Sequence, residues 1–190
     1  MKKYTHEESF IFHNEAEGLA SVVKSCIVYI EEQNDFLGVP VNILSKVKWT
    51  ITELLINGAK HSGSKQSRLI LKFSESSLYI EKEDEGNPLQ LEVNNGTQHM
   101  LWPVQKNMLN RHFEVYRNGM DSLHVYTENE STAFFKVQEA EDEEMPLLLT
   151  NMSEHFGLMI IAKASDHFSY VLDTDSGKNI FSVRFEYPAK

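Results

Sequence analysis

With one cysteine among 190 residues, Cys26, the chain cannot close an internal disulfide. That cysteine sits among Val22, Val23, Ile27 and Val28, where a buried and unreactive thiol is expected. Basic residues are also in short supply. Eighteen Lys and Arg face 28 Asp and Glu, giving a formal net charge of −10. Nucleic-acid binding needs clustered cations to neutralise phosphates, so this balance argues against a nucleic-acid partner. Part of the acidity is local: Glu139, Glu141, Asp142, Glu143 and Glu144 read as a solvated linker. No stretch approaches the roughly 18 continuous apolar residues of a membrane span, so no membrane partner is expected. The start, MKKYTHEESF, has basic residues with no apolar run behind them, which is not a secretory leader, so the expected compartment is the cytoplasm. Eight histidines form neither H-x-x-x-H nor H-E-x-x-H, which argues against a zinc site. There is no G-x-S-x-G elbow and no Walker A loop.

What is present is a 41% hydrophobic chain long enough for one domain over residues 1–190, carrying an inserted module over 90–154. Ser9–His13 has the residue types of a short strand. Leu19, Val22, Val23, Cys26, Ile27 and Ile30 recur with helical spacing between Ala16 and Gln33. A second helix is expected over Val41–Ser62, with Leu44, Val47, Ile51, Leu54, Leu55, Gly58 and Ala59 on its apolar face. Trp49, Glu53, Asn57 and Lys60 fall on the opposite side, and Gly63 is placed to end the helix. Arg68–Phe73 and Leu78–Lys82 read as a hairpin, closed by the sharp break Glu83-Asp84-Glu85-Gly86-Asn87-Pro88. In the insertion, His99–Leu109 suggests a short helix. His112–Arg117 and Ser122–Thr127 flank the hairpin signal Asn118-Gly119, and Ala133–Gln138 adds a third strand. Leu147–Asp166 is again helical, broken near Gly157, and Phe168–Asp173 with Ile180–Tyr187 forms a final hairpin.

Three segments carry a resemblance. WTITELLINGAKHSG, at Trp49–Gly63, resembles the N-box of the GHKL (Bergerat-fold) ATPases in their anti-sigma-factor kinase branch, with Glu53, Asn57, Gly58, Lys60 and His61 in register. LYIEKEDEGNPL resembles the strand and G1 box, matched at Asp84 and Gly86. EHFGLMIIAKASDHFSY resembles the G2 region, matched at Gly157 and Leu158. The resemblance covers residues 9–88 and 155–187. It implies an α+β fold: a Bergerat-type two-layer α/β sandwich, a mixed sheet with helices on one face, and a β-rich insertion in place of the ATP lid.

It also implies a site for ATP and Mg²⁺. Glu53 would be the catalytic residue that activates the attacking group, and Asn57 the Mg²⁺ ligand through its amide oxygen. Asp84 would accept a hydrogen bond from the adenine amino group, beside a close backbone approach at Gly86. Lys60, Gly157 and Leu158 would complete the nucleotide contacts. Each has a plainer reading: Glu53 and Asn57 as a solvated helix face, Asp84 and Gly86 as a tight turn. The family's second G1 glycine is replaced by Asn87-Pro88, and the first G2 glycine is missing from His155-Phe156-Gly157-Leu158. Glycines there free backbone N–H groups to cradle phosphate, so the adenine end is better preserved than the phosphate end.

Two functions follow from the resemblance. One is an ATP-binding regulatory domain, a protein serine/threonine kinase acting on a regulatory partner of sigma-factor or antagonist type. The other is a catalytically impaired Bergerat-fold module that controls a protein partner through residues 90–154. In related kinases homodimers are common. The aromatic and Met residues of the insertion, Trp102 and Met100 among them, are expected to build a small core, the alternative being an adaptable binding face.

Overall fold

The computed structural model describes residues 4–94, 96–139 and 155–189. Strand β1 (His6–His13) leads into helix α1 (Leu19–Glu32), a single turn α2 (Asn34–Leu37) and the long helix α3 (Val41–His61). Strands β2 (Gln66–Ser74) and β3 (Ser77–Asp84) form a tight hairpin. A second, two-stranded hairpin follows, β4 (Gln90–Val93) with β5 (Gln98–Leu101). Strands β6 (Arg111–Asn118), β7 (Asp121–Asn129) and β8 (Thr132–Glu139) form a meander. Helix α4 (Phe156–Ala164) and the hairpin β9 (His167–Asp173) with β10 (Lys178–Glu186) complete the described chain.

Eight of these strands join one sheet in the order β1-β2-β3-β10-β9-β8-β7-β6, and every pairing in it is antiparallel. This corrects the expected fold class. The chain is β-rich, not a helix-packed, Bergerat-type two-layer α/β sandwich with a mixed sheet. Two features account for the difference. Although α1 and α3 lie between β1 and β2, as the sequence leads one to expect, the two strands pair antiparallel, so the mixed sheet is absent. Strand β8 pairs directly with β9, so strands β6–β8 lengthen the main sheet, while β4 and β5 pair only with each other.

The helices form where their apolar spacing demands. In α1, Val23, Cys26 and Ile30 are buried; in α3, Ile43, Val47, Ile51, Leu54 and Leu55 are. These side chains share one buried cluster with alternate residues of the strands, among them Leu69, Leu71, Phe73, Leu78, Ile80, Leu123, Val125 and Phe135. Burial pushes the Cys26 thiol up to about 12, so it is an inert core group. Gly63 follows the last turn of α3 at φ +66, the left-handed position that favours glycine. At the β6–β7 turn, Asn118 pairs with Asp121, so Gly119 and Met120 are the central residues. Gly119 takes positive φ at the first of them, as a type II′ turn requires.

The stretch 99–109 is not a helix. It holds β5, a cis Trp102–Pro103 bond and a 3₁₀ turn at Lys106–Met108. Leu91, Val93, Met100 and Trp102 are buried, and they belong to the main cluster instead of a core of their own. The acidic residues 141–144 and the start of the expected helix from Leu147 lie outside the described residues.

Candidate functional site

Asn14, at the end of β1, fixes the turn after α3. Its amide donates to the Ser62 hydroxyl (3.1 Å) and the Ser64 carbonyl (2.8 Å), and its Oδ1 accepts from the Ser67 hydroxyl (2.9 Å). The Ser62 carbonyl is thereby held where it accepts the Asn87 N–H at 2.5 Å. Gly86 passes directly over that carbonyl: a Cβ built there would lie 1.9 Å from the Ser62 oxygen. Close approach, not turn conformation, explains this glycine.

Strand β3 delivers the charged groups. Alternate residues Leu78, Ile80, Lys82 and Asp84 all point inward and are buried. The Lys82 ammonium pairs with Asp84 Oδ2, both side chains being 2% exposed. Asp84 Oδ1 accepts the Gly86 N–H (2.8 Å) and an amide N–H of Asn179 (3.1 Å), its partner across β3–β10. Asn179 also donates to the Gly86 carbonyl (3.1 Å) and accepts from the Tyr170 hydroxyl (2.7 Å), which in turn accepts the Leu89 N–H (3.1 Å). Burial raises the Tyr170 phenol to about 12, the Asp84 charge adding to the effect, so it acts as a neutral donor. A buried ion pair persists only when its remaining polar atoms are satisfied, and this network does much of that.

Lys82, Asp84 and Asn179 floor a cavity of about 380 Å³, in the range of small-molecule sites. Asn57 and Leu54 come from α3, Leu158 from α4, Phe181 from β10, and Leu91 and Met100 from the β4–β5 hairpin. His61, His99, His155 and Glu92 also line it. The hairpin is a fixed wall: Trp102 N–H donates to the Leu89 carbonyl (3.1 Å), and Asn94 N–H to the Glu114 carbonyl (2.7 Å). Trp102 is buried edge-on against Tyr170, with ring centroids 5.9 Å apart.

Of the residues singled out in sequence, Asn57, Asp84 and Leu158 line this cavity, and Gly86 shapes its floor. Glu53 and Gly157 meet beside it. A Cβ on Gly157 would lie 2.4 Å from Glu53 Oε2 and 3.5 Å from Asn57 Oδ1, so this glycine lets the first turn of α4 settle against α3. The Asn57 Nδ2 is buried and, among the described residues, has no hydrogen-bond partner. Lys60 is exposed and off the cavity wall; its charge reaches Glu53, partly offsetting the effect of burial. Lys82, Asn179 and Tyr170 were not singled out. Lys82 had a signal, since the inward alternation Leu78, Ile80 continues through it to Asp84. Asn179 had none, because its role depends on the register of β10 against β3.

Burial raises the pKa of Glu53 above the ordinary 4.5 despite the opposing charge of Lys60. A carboxyl raised on folding binds its proton more tightly in the native state, so its penalty is absent below 4.5 and complete above the folded value. Glu53→Gln is therefore expected to raise the thermal midpoint at neutral pH, with the gain vanishing in acid. A lower midpoint at neutral pH would mean that the carboxylate is held favourably by Lys60 or by α4.

The residues fit the two halves of an ATP–Mg²⁺ complex unequally. The base end fits: a buried carboxylate, an unpartnered amide and apolar walls surround one cavity. The phosphate end does not, because the Glu53 carboxylate lies against Gly157 in the first turn of α4, where phosphates would need backbone N–H groups and no competing negative charge. Among the described residues, no group of three or more His, Cys, Asp or Glu side chains is arranged to hold a metal ion, and no helix is long and apolar enough to cross a membrane. No protein-family model matches the chain, and no curated protein matches it.

Proposed function

We propose that this chain is a nucleotide-binding regulatory domain that holds the adenine moiety of ATP or ADP in the cavity between α3, α4 and the end of β3. One observation carries the reading. Segments resembling the N-box, the G1 box and the G2 region, far apart in sequence, each contribute a wall residue, Asn57, Asp84 and Leu158. Asp84 Oδ2 would accept from the adenine amino group, Phe181 and Leu158 would pack against the ring, and the Asn57 amide would meet a polar group of the ligand. The partner is a regulatory protein, as in the anti-sigma-factor kinase branch that the motifs resemble.

The contact between Glu53 and Gly157 favours binding without turnover, so no phosphoryl-transfer step is assigned to Glu53. Calorimetric titration with ATP and ADP, with and without Mg²⁺, tests the reading. Binding in the micromolar range is expected, weakened about 10-fold or more in Asn57→Ala through loss of its hydrogen bond. Unchanged affinity in that variant would remove Asn57 from the site.

A further inference from the structure

The cavity floor presents more than the acceptor that an adenine amino group needs. An ammonium carries three N–H donors. Lys82 gives one to Asp84 Oδ2 and, among the described residues, forms no other hydrogen bond. It is buried, it lines the cavity, and its Nζ lies 5.7 Å from the centroid of the Phe181 ring on the same wall. Its position is deliberate in packing terms. A Cβ on Gly58 would sit 3.0 Å from Lys82 Cε and 3.1 Å from Nζ, so α3 leaves little more than the space this side chain fills. Asp84 Oδ1 is already occupied by two donors, whereas Oδ2, among the described residues, accepts only from Lys82. A ligand reaching the floor therefore meets one free carboxylate lone pair and free ammonium protons side by side, both away from bulk water.

A lone amino group would satisfy half of this arrangement and leave buried N–H donors of Lys82 without partners, which is costly. The complementary ligand edge has a donor next to an acceptor on a flat ring. In adenine those are the 6-amino group and ring N1. We propose that Lys82 is a specificity-determining residue that reads ring N1 while Asp84 reads the 6-amino group. This inference rests on the adenine reading given above, and it adds a contact that the sequence motifs do not contain.

The test compares adenosine with 1-deazaadenosine, which keeps the 6-amino donor and replaces N1 by C–H. With the unaltered protein, calorimetry is expected to show 1-deazaadenosine binding at least about 10-fold more weakly, as for loss of one hydrogen bond to a charged group. In Lys82→Met, shown to be folded by circular dichroism, the two ligands should bind alike. Equal binding of both by the unaltered protein would overturn the role of Lys82 while leaving the adenine site standing, and it requires no variant to fold. Absence of binding by adenosine, ATP and ADP alike would instead remove the nucleotide reading itself, and this inference with it.

Discussion

Replacing Gly86 with alanine is expected to cost about 3 kcal/mol of stability or more, at the upper end of overpacking substitutions. The added Cβ would fall 1.9 Å from the Ser62 carbonyl oxygen and 3.0 Å from Asp84 Oδ1. Neither neighbour can yield easily. The Ser62 carbonyl is main chain, held by the Asn87 N–H, while Asp84 is fixed by Lys82 and Asn179. For a chain of this size, such a loss corresponds to a thermal midpoint lower by roughly 6–12 °C. Gly157→Ala is the informative contrast. Its Cβ would meet Glu53 Oε2, the far end of a flexible side chain that can rotate away. Alanine within α4 also gains up to about 1 kcal/mol in helix propensity. Urea unfolding should therefore separate the two variants clearly. A Gly86→Ala protein as stable as the parent would mean that the Ser62–Gly86 approach is not as tight as described.

The second large effect is expected at Asp84. Asp84→Ala removes the counter-charge of an ammonium that is 2% exposed and leaves the Gly86 N–H and an Asn179 N–H without their acceptor. Breaking a buried pair from one side costs about 3–5 kcal/mol. Removing both charges, in Lys82→Met with Asp84→Asn, is expected to cost far less than the sum of Lys82→Met and Asp84→Asn made singly. The remaining amide can still accept from the Gly86 N–H, and the methionine stem still fills the space beside Gly58. A double-mutant cycle on unfolding free energies measures this coupling. Additive single effects would show that the two side chains do not depend on each other. The outcome also bears on function. If the pair is coupled strongly, a ligand at the floor is read by both charges at once, and substitutions at either residue must be judged on folded protein.

Local structure was legible where the pattern of the chain is local. Helix α3 was readable from Leu44, Val47, Ile51 and Leu54, and its end from Gly63. The β2–β3 and β9–β10 hairpins were readable from apolar runs separated by short polar turns. Alternation could not reveal how hairpins assemble. Nothing in Ala133–Gln138 announces that β8 lies against β9, yet that pairing brings β6–β8 into the main, wholly antiparallel sheet. The stretch His99–Leu109 misled because four residues of strand are too short to establish a period of two. At the site, Asp84, Gly86, Asn57 and Gly157 stood out as residue types with chemical meaning. Their partners did not. Ser62 and Asn179 matter because of where the backbone and the β10 register place them. Lys82 was hidden in plain alternation, because a lysine in a strand is normally read as facing water.

Photolabelling the full chain with 8-azido-ADP, with peptide mapping and competition by unlabelled ADP, asks where the base sits. The cavity lined by Asn57, Asp84, Leu91, Met100 and Leu158 predicts labelled peptides drawn from residues 88–101 or 155–163, with ADP suppressing the label. Label that ADP does not suppress, or that falls on peptides remote from these walls, would contradict the assignment of this cavity to a nucleotide.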